Sequence, residues 1–248
     1  MTGPVRAELG KLRTVRSTWI LAGLAVFSCI AWTTVAVSVF DTDPAQAALS
    51  ADQRLVNIYQ MAQQGYLFVL IIGVLGMTGE YRHRTVTWAF LVSPVRGRVL
   101  VAKAAAHALV GFLVGLAAAA ATAVCAAVLL AAVGKDVFAP QVPAVLLGCV
   151  LSTVAYSLLG LAVGALVRNQ AAAVAVAFGW FFYAEFLLLW FLPDIGRWLP
   201  SGAAKSMIGW QPVGIDLLPV WAGGAVLLGY VVVIGAAARL VTLRRDVT

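Results

Sequence analysis

The chain has 248 residues, of which 62% are hydrophobic and only 11% charged, with a net charge of +7. A soluble domain of this length would leave too much apolar surface in water, so the composition excludes an ordinary soluble globule and indicates an integral membrane protein. The positive balance would suggest nucleic acid in a soluble chain; here membrane topology explains it, and no nucleic-acid partner is expected.

In chain order, the first segment carries Val5, Leu9 and Leu12 on one helical face, with Arg6, Lys11 and Arg13 elsewhere. It reads either as an amphipathic helix lying along the inner membrane surface or as a basic tail that sets topology. The apolar run Trp19–Phe40 follows, with small residues around Pro44–Ala48 that resemble a cleavage site. A cleavable signal has an apolar region of about 7–15 residues, so this longer run is expected to stay as a first span.

At about 20 apolar residues per crossing, five more spans are expected: Asn57–Thr78, Ala104–Val133, Val142–Val167, Gln170–Leu192 and Leu217–Leu240. The predicted fold is all-α, one transmembrane domain over residues 1–248. Near the second span, Gln53, Asn57, Gln60 and Gln64 share one helical face. The expectation is that this helix projects above the bilayer with its amides in water; a wet groove or a hydrogen-bonded helix interface would also use them. The third span is long enough to require tilt or extension past the interface. Gly111 and Gly115 in it, and Gly160 and Gly164 in the fourth, mark faces for close helix packing. Only Arg168 and Asn169 separate the fourth and fifth spans, which forms a tight hairpin.

Glu185 lies inside the fifth span, roughly 10 Å from its outer end at about 1.5 Å per residue. An intramembrane carboxylate is a functional candidate by default, and Arg197 or Lys205 in the next loop is its expected partner, in a gate or in a structural ion pair. That loop, Pro193–Asp216, is unusually apolar, with Trp198, Leu199, Met207, Ile208 and Trp210. A re-entrant hairpin of two short helices and an ordinary loop anchored by interfacial Trp both fit it.

With the N-terminus inside, 13 of the 17 basic residues fall on the inner side, so both termini are expected in the cytoplasm. Enzyme chemistry finds no motif. There is no GxxxxGK[ST] phosphate loop, HExxH or GxSxG. His83 and His107 have no carboxylate or cysteine at ligand spacing, and Cys29, Cys125 and Cys149 sit in apolar runs. No catalytic, cofactor or metal site is expected.

The densest basic segment is the connector after the second span, GEYRHRTVTWAFLVSPVRGRVLVAK (Gly79–Lys103). Thr85–Val92 fits a short helix with Trp88 and Leu91 on one side, ended by Pro94, which disfavours helix at Ser93. Arginines around an apolar patch suit a protein interface, and headgroups alone would also accept it. In this position the connector resembles that of permease subunits of ABC transporters of the second exporter type. The matching residues are Glu80, Arg82, Thr85, Leu91, Ser93, Pro94, Arg98 and Lys103; Arg84 departs, standing where a glycine often precedes the threonine. The resemblance covers the whole chain, with its basic N-terminal segment, six spans and apolar loop before the last.

The resemblance implies a transmembrane subunit in a bacterial cell membrane, acting as a homodimer with a cytoplasmic ATPase dimer that binds Mg-ATP. It implies that the connector is the coupling helix, with Glu80, Arg82, Arg84, Thr85, Trp88, Leu91, Ser93, Pro94, Arg96 and Arg98 at the ATPase. Pathway or gate candidates are Asn57, Gln60, Gln64, Glu185, Arg197 and Lys205. The alternatives are a partnerless membrane sensor or membrane enzyme, and a structural scaffold in lipid.

Overall fold

The computed structural model describes residues 2–40, 49–82, 96–210, 212 and 214–244. These form helices and connecting turns, with no strand among the described residues. The helices are α1 (Thr2–Thr14), α2 (Arg16–Ser38), α3 (Ala51–Tyr59), α4 (Tyr66–Arg82), α5 (Arg96–Ala132), α6 (Val142–Leu166), α7 (Gln170–Phe178), α8 (Glu185–Phe191), α9 (Pro193–Gly196), α10 (Pro200–Met207) and α11 (Val220–Arg244). A 3-10 turn, Gln60–Gln63, joins α3 towards α4, and a π turn, Gly179–Ala184, joins α7 to α8.

Among the described residues, six stretches are long and apolar enough to cross a membrane: Arg16–Ser38, Ala51–Arg82, Gly97–Ala132, Val142–Leu166, Gln170–Phe191 and Val220–Thr242. The expected all-α, six-span architecture is present, with its element ends shifted. The largest shift is in α5, whose 37 residues make about 55 Å at 1.5 Å per residue, well beyond a 30 Å hydrocarbon layer. No proline lies between Arg96 and Ala104, and the single Gly97 does not stop the helix, which begins a full two turns before the apolar run.

The second span also differs from expectation. It starts at Ala51, where Ser50 and Gln53 form a reciprocal capping box: the Ser50 hydroxyl accepts from the Gln53 N–H at 3.3 Å, and Gln53 Oε1 accepts from the Ser50 N–H at 3.2 Å. Gln53 therefore caps a helix. The 3-10 turn then interrupts the span next to α2, where a Cβ at Gly65 would stand 2.8 Å from the carbonyl oxygen of Ala25. Backbone contact this close needs glycine.

α6 is the centre of the bundle, with α4 and α5 packed on two of its sides. A side chain at Gly160 would collide with the Leu70 carbonyl of α4, and one at Gly164 would stand 2.7 Å from the Val74 carbonyl. On the other side, Cβ atoms at Gly111 and Gly115 would lie 2.9 Å from Ser157 and 3.1 Å from Thr153. All four glycines lie at helix crossings, where the missing side chains let the backbones approach and dispersion contacts accumulate.

Apolar contacts run along the bundle in three groups. One holds Leu55, Tyr59, Leu130, Cys149 and Ile208; a central one holds Leu70, Tyr156, Leu159, Phe181 and Leu227; a third holds Met77, Leu161, Ala165 and Ala238. The two ends of the bundle differ in chemistry. At one, which we call the basic end, Arg82 donates to Gln170 at 3.3 Å, and Arg168 lies over Tyr81 at 5.6 Å. At the far end, the Tyr59 hydroxyl donates to the Val137 carbonyl at 2.6 Å, and Trp190 meets Trp210 edge to face at 6.5 Å. The outward faces of α2, α7–α8 and α11 carry exposed Trp19, Phe27, Trp180, Phe186, Trp221 and Val233, the surface expected of a body whose solvent is lipid.

Candidate functional site

The basic end holds a four-member ionic network that joins three helices. Lys103, seven residues into α5, is almost completely buried. Its ammonium reaches Glu8 Oε2 of α1 at 2.6 Å, Glu80 Oε1 of α4 at 2.9 Å and the Gly76 carbonyl at 3.3 Å. Three acceptors match the three donors of an ammonium, so nothing on this buried group is left unpaired. Lys11 closes the network from the open side, at 2.6 Å from Glu8 Oε1 and 2.8 Å from Glu80 Oε1.

Two cations and two carboxylates cancel, which makes burial of the set tolerable where one buried charge would not be. Burial pushes the Glu8 carboxyl up, but Lys103 and Lys11 outweigh it and hold the group below its ordinary value. Burial likewise pushes Lys11 down, and its bonds to Glu8 and Glu80 leave it raised. α1 thus turns Glu8 and Leu12 inward onto the bundle, half-burying Val5 and Leu9 beside them.

Glu80 and Lys103 stand on either side of residues 83–95. Their contact ties the end of α4 to the start of α5. Of the coupling residues expected from sequence, Arg84, Thr85, Trp88, Leu91, Ser93 and Pro94, together with the expected helix Thr85–Val92, lie outside the described residues. Arg82 ends α4, bonded to Gln170, while Arg96 opens α5 and Arg98, two residues later, is exposed. Beside the network, a cleft of about 470 Å³ opens between α1–α2 and α4–α5, lined among others by Leu12, Thr18, Leu21, Ile72, Leu75 and His107. His107 Nδ1 lies 3.0 Å from the Lys103 carbonyl. A carbonyl can only accept, so Nδ1 carries the hydrogen in the neutral ring, and Nε2, packed on Gly76, is a buried acceptor without a partner.

The far-end candidates fall into two groups. Asn57 and Gln60 are buried, 3.4 Å apart through Gln60 Nε2 and Asn57 Oδ1. This corrects the expectation that they face water above the bilayer: both are buried, and Asn57 borders a cleft of about 450 Å³ lined by Val145 of α6 and Ile208. The strongest cross-helix amide bond comes from Gln63, whose Nε2 donates to Ser152 Oγ at 2.6 Å, while Gln64 turns back to Met61 Sδ at 3.7 Å. The 3-10 turn, with its three residues per turn, brings Gln63 to the α6 side, a rotation that α-helical spacing does not anticipate.

Glu185 is fully buried at the start of α8, directly after the π turn. Its Oε2 accepts from the Ser201 backbone N–H at 2.6 Å, on the first turn of α10. The expected ion pair is not formed: Arg197 pairs with Asp194 at 3.1 Å, and Lys205 lies over the Trp210 ring at 4.5 Å. A free N–H at a helix start carries partial positive charge, so it can answer a carboxylate as a cation would. The contact pins α10 beneath the end of the fifth span. Glu185 Oε1, Ser201 Oγ and Arg197 Nε are buried with no hydrogen bond of good geometry among the described residues, although the Ser201 and Trp180 side chains and the Lys205 ammonium lie near the carboxylate. The π turn contributes a second tie, since the Phe181 carbonyl accepts from the Tyr66 hydroxyl at 3.2 Å.

Sequence reasoning missed Glu8 and the Ser201 N–H. The signal for Glu8 was that it is the only carboxylate in the first 40 residues, three positions before Lys11.

Compared with known families, residues 5–184 match the family model described as ABC-2 family transporter protein, a stretch covering most of the chain. No curated protein matches the chain.

Proposed function

The chain belongs to the ABC-2 family of transporter proteins, a multi-pass membrane permease component, and on that footing we propose that it forms the translocation path of an ATP-driven exporter. Two copies work with two cytoplasmic ATPase subunits, which bind and hydrolyse Mg-ATP. The basic end faces the cytoplasm with both termini, following the 13-to-4 distribution of basic residues.

The observation that carries this reading is the network of Glu8, Lys11, Glu80 and Lys103. It closes the base of the connector that the ATPase would grip. A push on residues 83–95 enters α4 and α5 together, because Glu80 and Lys103 hold them to each other, and Glu8 carries it into α1. Glycine-tight packing passes it on to α6, since interfaces this close move as bodies and do not deform smoothly. At the far end the Glu185–Ser201 contact holds α9–α10 down until the spans beneath it move.

Coupling is tested by Trp88→Ala with Leu91→Ala. Loss of two anchors from an interface costs about 1–4 kcal/mol, so the variant is expected to lose copurifying ATPase and substrate-stimulated hydrolysis in the reconstituted complex. Unchanged copurification and hydrolysis would overturn the coupling role. Orientation is tested by cysteine labelling: Arg98→Cys is expected to react only after the membrane is opened, and Asp136→Cys in intact cells. The reverse pattern would overturn the assignment of sides.

A further inference from the structure

Apart from the network, a second cavity of about 170 Å³ lies between α5, α6 and α11 near the basic end. Its walls are almost wholly apolar, with Met77, Leu100, Leu158 and Val231 among them. Ala162 and Gly235 keep it open: a Cβ at Gly235 would meet nothing within 4 Å. A dry apolar cavity of about 150 Å³ accommodates a benzene-sized group, so this one takes several carbons of a chain.

Two cations line it. Lys103 is saturated by its own carboxylates. Arg239 is different: it is exposed at the mouth, where a Cβ added at Gly97 would stand 3.4 Å from its guanidinium, and it makes no hydrogen bond or ion pair among the described residues. From Val231 to Arg239 the α11 wall runs eight residues, about 12 Å along the axis, from mid-helix to the level where the connector begins.

An apolar slot with a guanidinium at its mouth that no described residue answers has the polarity of one molecule class. We propose that it binds an anionic phospholipid of the surrounding leaflet, with its phosphate on Arg239 and an acyl chain between α5, α6 and α11. Guanidinium matches phosphate geometry through paired N–H groups, and basic pockets between spans recruit acidic headgroups in this way. The site shares Lys103, α5 and α6 with the proposed coupling path, but lipid binding there is read without transport and does not depend on it.

The experiment uses the full-length protein, delipidated in detergent, with retained lipid counted by native mass spectrometry. The probes are phosphatidylglycerol, phosphatidylcholine of the same acyl chains, and inorganic phosphate. Wild type is expected to hold one phosphatidylglycerol about fivefold more tightly than phosphatidylcholine, the effect of one cation at a headgroup. Arg239→Ala should abolish that preference and Arg239→Lys keep part of it. Gly235→Leu, which fills the slot and leaves the charge, should lose both lipids. Equal binding of the two lipids by wild type, or a preference that survives Arg239→Ala, overturns the proposal. So does displacement by millimolar inorganic phosphate with Gly235→Leu still binding, which would make the site one for free anions.

Discussion

The two ends of the bundle solve the same problem, a carboxylate kept from water, by different means. At the basic end Glu8 and Glu80 are answered by full charges on long side chains, and the two contacts made by Lys103 span 95 and 23 positions of sequence. At the far end Glu185 is answered by one backbone N–H only 16 residues away. The first arrangement binds three helices into one body. The second is a local fastening between a span and the short helices after it, with one carboxylate oxygen left over. Charge networks suit parts that must move together, and single hydrogen bonds suit parts that must separate.

The largest effect expected from breaking this comparison lies in Lys103. Lys103→Met leaves Glu8 and Glu80 close together, both nearly buried, with Lys11 alone to balance them. Removing one partner of a buried ionic set costs about 3–5 kcal/mol, so the purified protein should unfold at markedly lower temperature. Adding Glu8→Gln removes the carboxylate left uncompensated and should recover part of the loss. A double variant no more stable than the single one would mean that the four residues do not act as a unit.

At the far end the expected effect is smaller. Glu185→Leu leaves the Ser201 N–H buried without an acceptor, a cost of about 1–3 kcal/mol. It falls on the hairpin: with Cys29, Cys125 and Cys149 replaced, Ala204→Cys, fully buried in α10, should become reactive to a thiol reagent when Glu185 is Leu. Glu185→Gln keeps a carbonyl acceptor for the same N–H and should be intermediate. Lys103→Met should leave Ala204→Cys protected. If it exposes that cysteine as much as Glu185→Leu does, the two ends are one cooperative unit and the contrast between them fails.

The contrast also explains what could be read in the sequence. Six spans were legible because a bilayer demands some 20 apolar residues per crossing, a constraint written in composition. Gly111, Gly115, Gly160 and Gly164 were legible as packing faces because only the absence of a side chain permits such contact. Asn57 and Gln60 were misread because a polar helix face does not say whether water or another helix lies against it. Gln63 fell outside the expected face because a 3-10 turn rotates it. Glu185 was singled out as a buried acid, but its partner was sought among cations, and a backbone N–H leaves no mark in a pattern of side chains. Glu8 was overlooked for the opposite reason: its neighbours are basic enough to make it look like a break in a charged tail, whereas its partners lie in α4 and α5.

The smallest expected effect sharpens the basic end from within. Lys11 touches the same two carboxylates as Lys103 at similar distances, but its side chain is 49% exposed against 3% for Lys103. Water and salt screen it, so Lys11→Met should cost only about 0–1 kcal/mol, and less at high ionic strength. Glu8 gives the same contrast a pH dependence. Its folded-state pKa is lowered, so its contribution is fully present above the unfolded carboxyl value and is lost as pH falls through the lower folded one. Lys11, raised in the fold, contributes below its unfolded value and loses that contribution as pH rises through the raised one. Between those limits the network should add a constant increment, and Glu8→Gln should flatten the acid limb of a stability-against-pH curve and also shrink the alkaline limb, because Glu8 is one of the two partners that raise Lys11. Lys11→Met should remove the alkaline limb and weaken the acid one only in part, since Lys103 still lowers Glu8. If Lys11→Met costs as much as Lys103→Met, exposure does not separate the two lysines, and the burial of Lys103 is not what gives the network its strength.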